Sequence, residues 1–391
     1  MHRNVGLHLT FLNRISGWGH LTVNLALQLK KRGIPLIFTE KKETLLSCLD
    51  MHRHQFGDED YSALHDLVVK KNGAEVDTCF YPANHQLALC YEHGPAQSAA
   101  KRNISLTNFE SSRFAPKDID AGQRYDLHIV PSHWNRDLLI ENKMEAITLH
   151  QAVDPLFHSL RKLRDAKVSP PRMFTVFSGG KLEFRKGQDI AIAAFKVLRS
   201  RHQDCQLITS WNFFSDETVR GLELNGYVSN LPNCGLDPVL SLDKWLFESG
   251  LPAGSFINTP PSGNGEIALQ MLNADVGLFP NRCEGGTNLV AMESLATGMP
   301  IIISANTGHR DLISAESGCF SLSRQNKVKN PEIPQITSVD EWGESDLEET
   351  IEALEHSYKA WKSGSIELHE PGTLTGRTWE VYGDEIVANL N

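Results

Sequence analysis

Apolar and polar residues alternate from the start of the chain. Val5, Leu7, Leu9 and Phe11 are interleaved with Gly6, His8 and Thr10, the two-residue period of a strand. Leu21, Leu25 and Leu29 then recur four apart with Gly33 beyond them, which predicts a helix and its stop signal. Residues 34–39 supply the next strand. The same succession returns along the chain. Strands are predicted at 104–113 (running into a loop), 126–132, 146–150, 174–178, 206–210, 256–265 (strand and loop) and 275–280, with another opening at Pro300. Helices are predicted at 134–142, 266–273 and 288–297, and after residue 187, where Ile190, Ala193, Ala194, Val197 and Leu198 share one face. An amphipathic helix follows at 346–361 and a terminal one at 378–390. Strands alternating with helices predict an α/β protein built on parallel sheets. Residues 40–103 show no clear period, and 215–255, with their Pro and Gly turns, read as an elaborated insertion.

A chain of 391 residues is long for one core, so two domains are expected. The charged stretch 159–171, closed by Pro170-Pro171, reads as the linker between them. The expected division is 1–160 for the first Rossmann-like domain, 172–365 for the second, and 366–391 for the terminal helix.

The candidate chemistry collects in residues 279–304: a strand end, the loop Arg282-Cys-Glu-Gly-Gly-Thr-Asn288, a helix, and a new strand. Loop glycines before a helix leave its first N–H groups free at the positive end of the helix dipole, a ready place for an anion such as a diphosphate. Glu284 in the loop and Glu293 in the helix frame this place. Carboxylates hold phosphate poorly but accept hydrogen bonds from sugar hydroxyls, so the pairing suggests a sugar nucleotide. A second glycine turn, Gly179-Gly180-Lys181-Leu-Glu-Phe-Arg185-Lys186-Gly187, puts cations ahead of another helix. Fixed cations stabilise a departing diphosphate more in the transition state than before it. A third, Gly17-Trp18-Gly19, follows the first strand, as in the opening of a Rossmann-like unit.

Together these segments resemble the retaining glycosyltransferases of family 4. The resemblance is carried by the two glutamates around a Gly-rich turn, the Glu293-Ser-Leu-Ala-Thr-Gly-Met-Pro300 helix exit, and the Gly180-Lys181 and Lys186-Gly187 pairs. It is close over 174–313 and looser over 1–157. It implies a GT-B fold, with two Rossmann-like domains facing each other across a cleft and a C-terminal helix crossing back to the first. It also implies transfer of a hexose from a nucleotide-diphosphate sugar to a hydroxyl acceptor, with retention and without a metal or other cofactor. In that scheme Glu284 contacts the hexose and Glu293 the ribose, while Lys181 and Lys186 neutralise the diphosphate. Arg185, Gly17, Gly19, Gly180 and the loop residues Gly286, Thr287, Asn288 and Leu289 would also bind the donor. The chain departs from the family at several positions, among them Ala152 where glycine is usual. Eight residues rather than seven separate Glu284 from Glu293, Lys181 stands where arginine is usual, and the usual histidine near residue 107 is replaced by Thr107-Asn108-Phe109-Glu110. Glu110 is the candidate for a sugar- or acceptor-facing group, set against a plain helix-N-terminal carboxylate. Trp211, at a strand exit, either stacks on the base or closes the core. Asp154 reads as a cap at the domain junction.

Composition narrows the partners. A net charge of −10 argues against general nucleic-acid binding. Seven scattered cysteines without a C-x-x-C pair argue against a disulfide framework or zinc site and fit a reducing cytoplasm. No signal-peptide core or membrane span is present in the pattern. The basic clusters Lys30-Lys31-Arg32, Lys41-Lys42 and Lys70-Lys71 are either solvated faces or, as the resemblance implies for this domain, a peripheral contact with an anionic membrane. Rival readings keep the fold as an epimerase or phosphorylase, or make the chain a non-catalytic nucleotide-sugar or glycan-binding partner subunit.

Overall fold

The computed structural model describes residues 5–7, 12, 17–38, 41–69, 76–83, 100–165, 173–211, 214–260, 262–314, 319–329, 336–366, 374 and 376–390. The chain forms two compact units, one of Met1–Ala152 with Gly376–Asn391 and the other of Val153–Thr375.

The first unit is a six-stranded sheet in the order β2-β1-β3-β4-β5-β6, parallel throughout. Its strands are β1 (Val5–Leu7), β2 (Leu36–Phe38), β3 (Thr78–Ala83), β4 (Arg102–Thr107), β5 (Leu127–Val130) and β6 (Ala146–Thr148). The helices are α1 (Gly17–Lys31), α2 (Lys42–Met51), α3 (Asp58–Val69), α4 (Pro116–Gly122), α5 (His133–Glu141) and, from the chain's end, the terminal helix Trp379–Ala388. Leu21, Leu25 and Leu29 of α1 enter one core with Val5, Leu7, Phe80 and Ile104 of the sheet and Trp379, Tyr382 and Ile386 of the terminal helix. Gly17 and Gly19 were expected in a loop; they form the first turn of α1. Gly19 is buried there, and its carbonyl accepts from Thr22 Oγ1 at 3.2 Å, so packing and a local hydrogen bond override the turn preference of glycine. Residues 13–16 of that segment lie outside the described residues.

The terminal helix packs on α1 at close range. A Cβ on Gly383 would come within 2.9 Å of the Gln28 Cβ and the Arg32 guanidinium. Arg32 donates to Asp384 Oδ1 (2.9 and 2.7 Å) and Lys31 pairs with Glu380 at 3.4 Å. Lys30 Nζ donates to the Ala63 carbonyl. The first basic cluster thus has partners within its own unit; Lys70 and Lys71 lie outside the described residues. Among the described residues no helix is long and apolar enough to cross a membrane.

The second unit repeats the plan. Its sheet runs β12-β11-β10-β7-β8-β9, again all parallel. Its strands are β7 (Phe174–Gly179), β8 (Cys205–Ser210), β9 (Phe256–Asn258), β10 (Val276–Phe279), β11 (Ile301–Ser304) and β12 (Cys319–Leu322). β7, β10 and β11 are wholly buried, as central strands covered on both faces must be, and they read as apolar runs. A small antiparallel ribbon, β13 (Gln325–Asn326) with β14 (Glu344–Ser345), stands apart from the sheet. The helices are α6 (Pro155–Asp165), α7 (Gln188–Arg201), α8 (Asp216–Val219), α9 (Pro238–Glu248), α10 (Asn264–Asn273), α11 (Leu289–Ala296) and α12 (Leu347–Lys362); the terminal helix of the first unit is then α13.

Three expectations shift. The division falls after Ala152, and residues 159–165, read as linker, are the second half of α6. Asp154 Oδ1 accepts the Leu156 N–H at the start of α6, and buried Arg164 donates to the carbonyls of Thr297 and Ala274 (3.1 and 2.8 Å) and of Met271. The charges that suggested a linker are one face of a helix whose Phe157 and Leu160 are buried. The stretch 215–255 contains α9, capped by the Asp237 side chain on the N–H groups of Val239 and Leu240. Trp211 is a core residue, fully buried, with its Nε1 donating to Ser178 Oγ at 3.3 Å.

Candidate functional site

Two loops of the second unit meet at the carboxyl ends of β7 and β10, the edge where α/β proteins collect ligands. The first follows β7: Gly180 at φ 114°, a 3-10 turn Phe184–Lys186, then Gly187 at φ 68° leading into α7. The second follows β10 and carries Asn281 to Asn288. They are stitched backbone to backbone, with the N–H groups of Arg282 and Cys283 donating to the Arg185 carbonyl (2.7 and 3.2 Å). A third segment, the 3-10 turn Thr307–Leu312, closes on the second loop. Gly308 N–H donates to the Glu284 carbonyl at 2.9 Å, and a Cβ on Gly308 would stand 1.8 Å from the Gly286 oxygen. Only glycine fits there.

A wholly buried guanidinium fixes the register of the two loops. Arg282 forks onto Asp189 in the first turn of α7 (2.9 and 2.7 Å), donates from Nε to Glu344 at 2.8 Å, and reaches the Phe184 carbonyl at 2.7 Å. Its Cζ lies over the Phe184 ring, 4.1 Å from the centroid. A bidentate, stacked arginine of this kind is not replaceable by lysine.

On that frame sits a network of three cations and two carboxylates. Glu284 accepts from Lys186 and Asn281 on one oxygen and from Arg185 on the other, at 3.1 Å. Glu183 accepts from Lys181 at 3.0 Å and from Arg185 Nε at 2.7 Å. Burial raises both carboxyls, but the surrounding cations outweigh it, and each is held down to about 2. Lys181 is the most exposed member, its side chain 47% accessible against 11% for Lys186.

Beside the network, Asn288 caps α11 at φ 58°. Its Nδ2 lies 3.1 Å from His309 Nε2, while His309 Nδ1 lies 2.9 Å from Ser304 Oγ. Burial pushes the His309 ring down to about 4. Glu293 lies inside α11 and is half-buried; burial, with the Asp154 carboxylate adding to it, pushes its carboxyl up to about 8. The eight residues between the two glutamates divide between the loop 285–288 and the first turn of α11, which Asn288 enters through a left-handed conformation that asparagine tolerates.

The structure therefore brings together Gly180, Lys181, Arg185, Lys186 and Glu284, with Gly286, Thr287, Asn288 and Leu289 on the same loop and Glu293 in the helix behind it. Gly17, Gly19 and Glu110 belong to the first unit. Glu110 is buried with Ser111 and Ser112 after β4, next to Phe109, whose backbone N–H and C=O both bond the Asn135 side chain (3.2 and 2.9 Å). The acid in the first turn of α4 is Asp118, not Glu110. Sequence reasoning missed Glu183, Asp189, Arg282 and His309. Glu183 alone left a signal, as an acid inside a run of cations.

No protein-family model matches the chain, and no curated protein matches it. Solved structures do. HepE of Anabaena in complex with UDP is similar to it at a TM-score of 0.59 and 13% identity, over 99% of each chain. Sucrose-phosphate synthase of Thermosynechococcus elongatus is similar at 0.65 and 12%, over 99% of this chain and 98% of that one. The trehalose 6-phosphate synthase of Burkholderia multivorans is similar at 0.58 and 13%, over 100% and 98%. What these likenesses share with the chain is architecture, two units each with a six-stranded parallel sheet and helices, and that architecture is the GT-B fold.

Proposed function

We propose that the protein is a retaining glycosyltransferase that moves a hexose from a nucleotide-diphosphate sugar to a hydroxyl acceptor and needs no metal. The observation that carries this reading is the cation network at the carboxyl edge of the second sheet, Lys181, Arg185 and Lys186 around Gly180. Lys181, Arg185 and Lys186 against Glu183 and Glu284 leave one positive charge on these five groups, and the loop that carries Glu284 leads into α11, whose first N–H groups have no partner within the helix. The diphosphate of a nucleotide sugar carries two negative charges and can share Lys186 and Arg185 with Glu284. As the bond to the anomeric carbon breaks, charge grows on the leaving oxygen, and cations already in place stabilise it without rearrangement.

In this reading Lys181 and Lys186 neutralise the diphosphate, aided by Arg185 and by the N–H groups of Thr287, Asn288 and Leu289. Glu284 orients the hexose, and Glu293 accepts from the ribose. The first unit supplies the acceptor site, with Glu110 a candidate there. HepE structures hold UDP and UDP-glucose, which makes these the first donors to try. One observation favours a second reading, nucleotide-sugar binding without transfer: both Glu284 oxygens are already engaged.

The test is calorimetric titration of the full chain with UDP, GDP, ADP and their hexose conjugates, followed by assay of donor consumption with and without a chelator. Binding of one nucleotide, lost in Lys181→Ala, together with chelator-insensitive donor turnover, is the expected result. Binding without turnover in the presence of varied acceptors would move the protein to the second reading. Absence of binding by every nucleotide would overturn both.

A further inference from the structure

We propose that Glu183 is a specificity-determining residue of the donor site. Its carboxylate takes the place of a phosphate on Lys181 and Arg185, and so loosens the site's hold on a nucleoside diphosphate. This rests on the nucleotide-sugar reading above and adds to it a group that weakens the grip on the leaving diphosphate.

Glu183 stands inside the loop that carries the cations, and its backbone is held on both sides. Its N–H donates to Gln188 Oε1 at 3.4 Å, and its carbonyl accepts the Lys186 N–H at 2.9 Å. The side chain divides its two oxygens between two cations. Oε1 accepts from Lys181 Nζ at 3.0 Å and Oε2 from Arg185 Nε at 2.7 Å. Phosphate oxygens would engage the same pair in the same way. Neither cation depends on this partner. Arg185 Nη1 also donates to Glu284 Oε2 at 3.1 Å and to the Cys283 carbonyl at 3.4 Å. Lys181 keeps 47% of its side chain in water.

Charge decides the effect. With Glu183 the five groups keep one positive charge, and without it they would keep two. Two is the match for the diphosphate of a nucleotide sugar, so Glu183 leaves the site one charge short. A phosphate that reaches Lys181 or Arg185 meets this carboxylate or displaces it, and the repulsion grows with the charge of the ligand. A free nucleoside diphosphate loses the last proton of its terminal phosphate at about pH 6. Above that it carries one more negative charge than the nucleotide sugar. Glu183 therefore weakens the hold on the product more than the hold on the substrate.

The experiment titrates UDP and UDP-glucose calorimetrically at pH 7.5 into the wild type and Glu183→Gln, at low and high salt. Another nucleotide and its sugar replace these if the first screen selects them. The amide keeps the shape of the side chain and one acceptor oxygen but removes the charge. UDP is expected to bind the variant about tenfold more tightly than the wild type, the effect of one charge at this range. UDP-glucose gains less, and both gains shrink at high salt. A merely structural role would move affinity the other way, because cations without their partner hold a ligand less well. Lys181→Gln and the double variant Lys181→Gln/Glu183→Gln test the same point. The double variant keeps the loop's net charge, and so serves where Glu183→Gln alone does not fold. Lys181→Gln is expected to weaken UDP binding, and the double variant to restore part of it. Unchanged or weaker UDP binding in folded Glu183→Gln, a gain no larger for UDP than for UDP-glucose, or no recovery in the double variant overturns this inference and leaves the donor reading intact. Failure of every nucleotide to bind the wild type and the variants overturns both together.

Discussion

Gly187 lies so close to Pro280 that a Cβ on the glycine would stand 2.2 Å from the proline carbonyl oxygen. The contact joins the two loops that carry the cations and Glu284, one residue after Lys186 and four before Glu284. Gly187 also sits at φ 68°, where a side chain costs about 1–2 kcal/mol before any clash is counted. Gly187→Ala is expected to lower the melting temperature by several degrees and to abolish nucleotide binding, because Lys186 must move with it. A melting curve and titration indistinguishable from the wild type would show that the loops do not depend on this contact.

Arg282 supports the same loops through charge. Removing it leaves Asp189 and Glu344 buried without their cation, so Arg282→Met is expected to cost about 3–5 kcal/mol in urea unfolding. Asp189→Asn should cost clearly less, since the guanidinium keeps Glu344 and the Phe184 carbonyl. Equal losses in the two variants would mean that the arginine is not the centre of the arrangement.

Much of this was readable in the chain, and the rest has a common physical reason for being hidden. The strands of the second unit announce themselves because burial on both faces demands an apolar run, as in Ile301–Ser304. β3 did not, although it lies between β1 and β4; its apolar run Cys-Phe-Tyr is short and is followed by Pro82, which argues against a central strand. Lys181, Lys186 and Glu284 were legible because glycines and charges cluster around them. Arg282 was not, because its meaning lies in Asp189, 93 residues away, and sequence reveals a residue's type but not its partner. His309 is hidden likewise, 21 residues from Asn288. Gly17 and Gly19 misled because a glycine pair signals a turn in isolation, whereas buried packing keeps Gly19 helical.

The cation network should give the protein an acid limit. Glu183 and Glu284 have folded values near 2, below the ordinary 4.5. Each therefore contributes stability that is present above about pH 4.5 and is lost as the pH falls through 2. Glu284→Gln removes one share and leaves Lys186 and Arg185 short of a carboxylate. The difference in melting temperature between wild type and Glu284→Gln is expected to be largest near pH 7 and to shrink by pH 3. A difference constant over that range would show that Glu284 is not held ionised by its neighbours. The amide is preferable to alanine for testing turnover as well, because it keeps the shape in which Asn281 and Arg185 pack.

Glu293 should act in the opposite sense. Its carboxyl is raised from 4.5 to about 8 by burial, with the Asp154 charge adding to it. Between those values the folded state holds a proton that the unfolded state has released, so stability falls as pH rises. The slope is at most about 1.4 kcal/mol per pH unit. The stabilising protonated form is fully present below about pH 4.5 and is gone above about pH 8. Glu293→Gln keeps the neutral form at every pH, so its melting temperature is expected to match the wild type at pH 4 and exceed it by several degrees at pH 8. If Glu293 also accepts from the donor's ribose, the same variant must bind nucleotide more weakly while being more stable. Such opposition is the mark of a group kept for binding at the expense of the fold. A variant no more stable than the wild type at pH 8 would mean that the buried carboxyl costs the fold nothing.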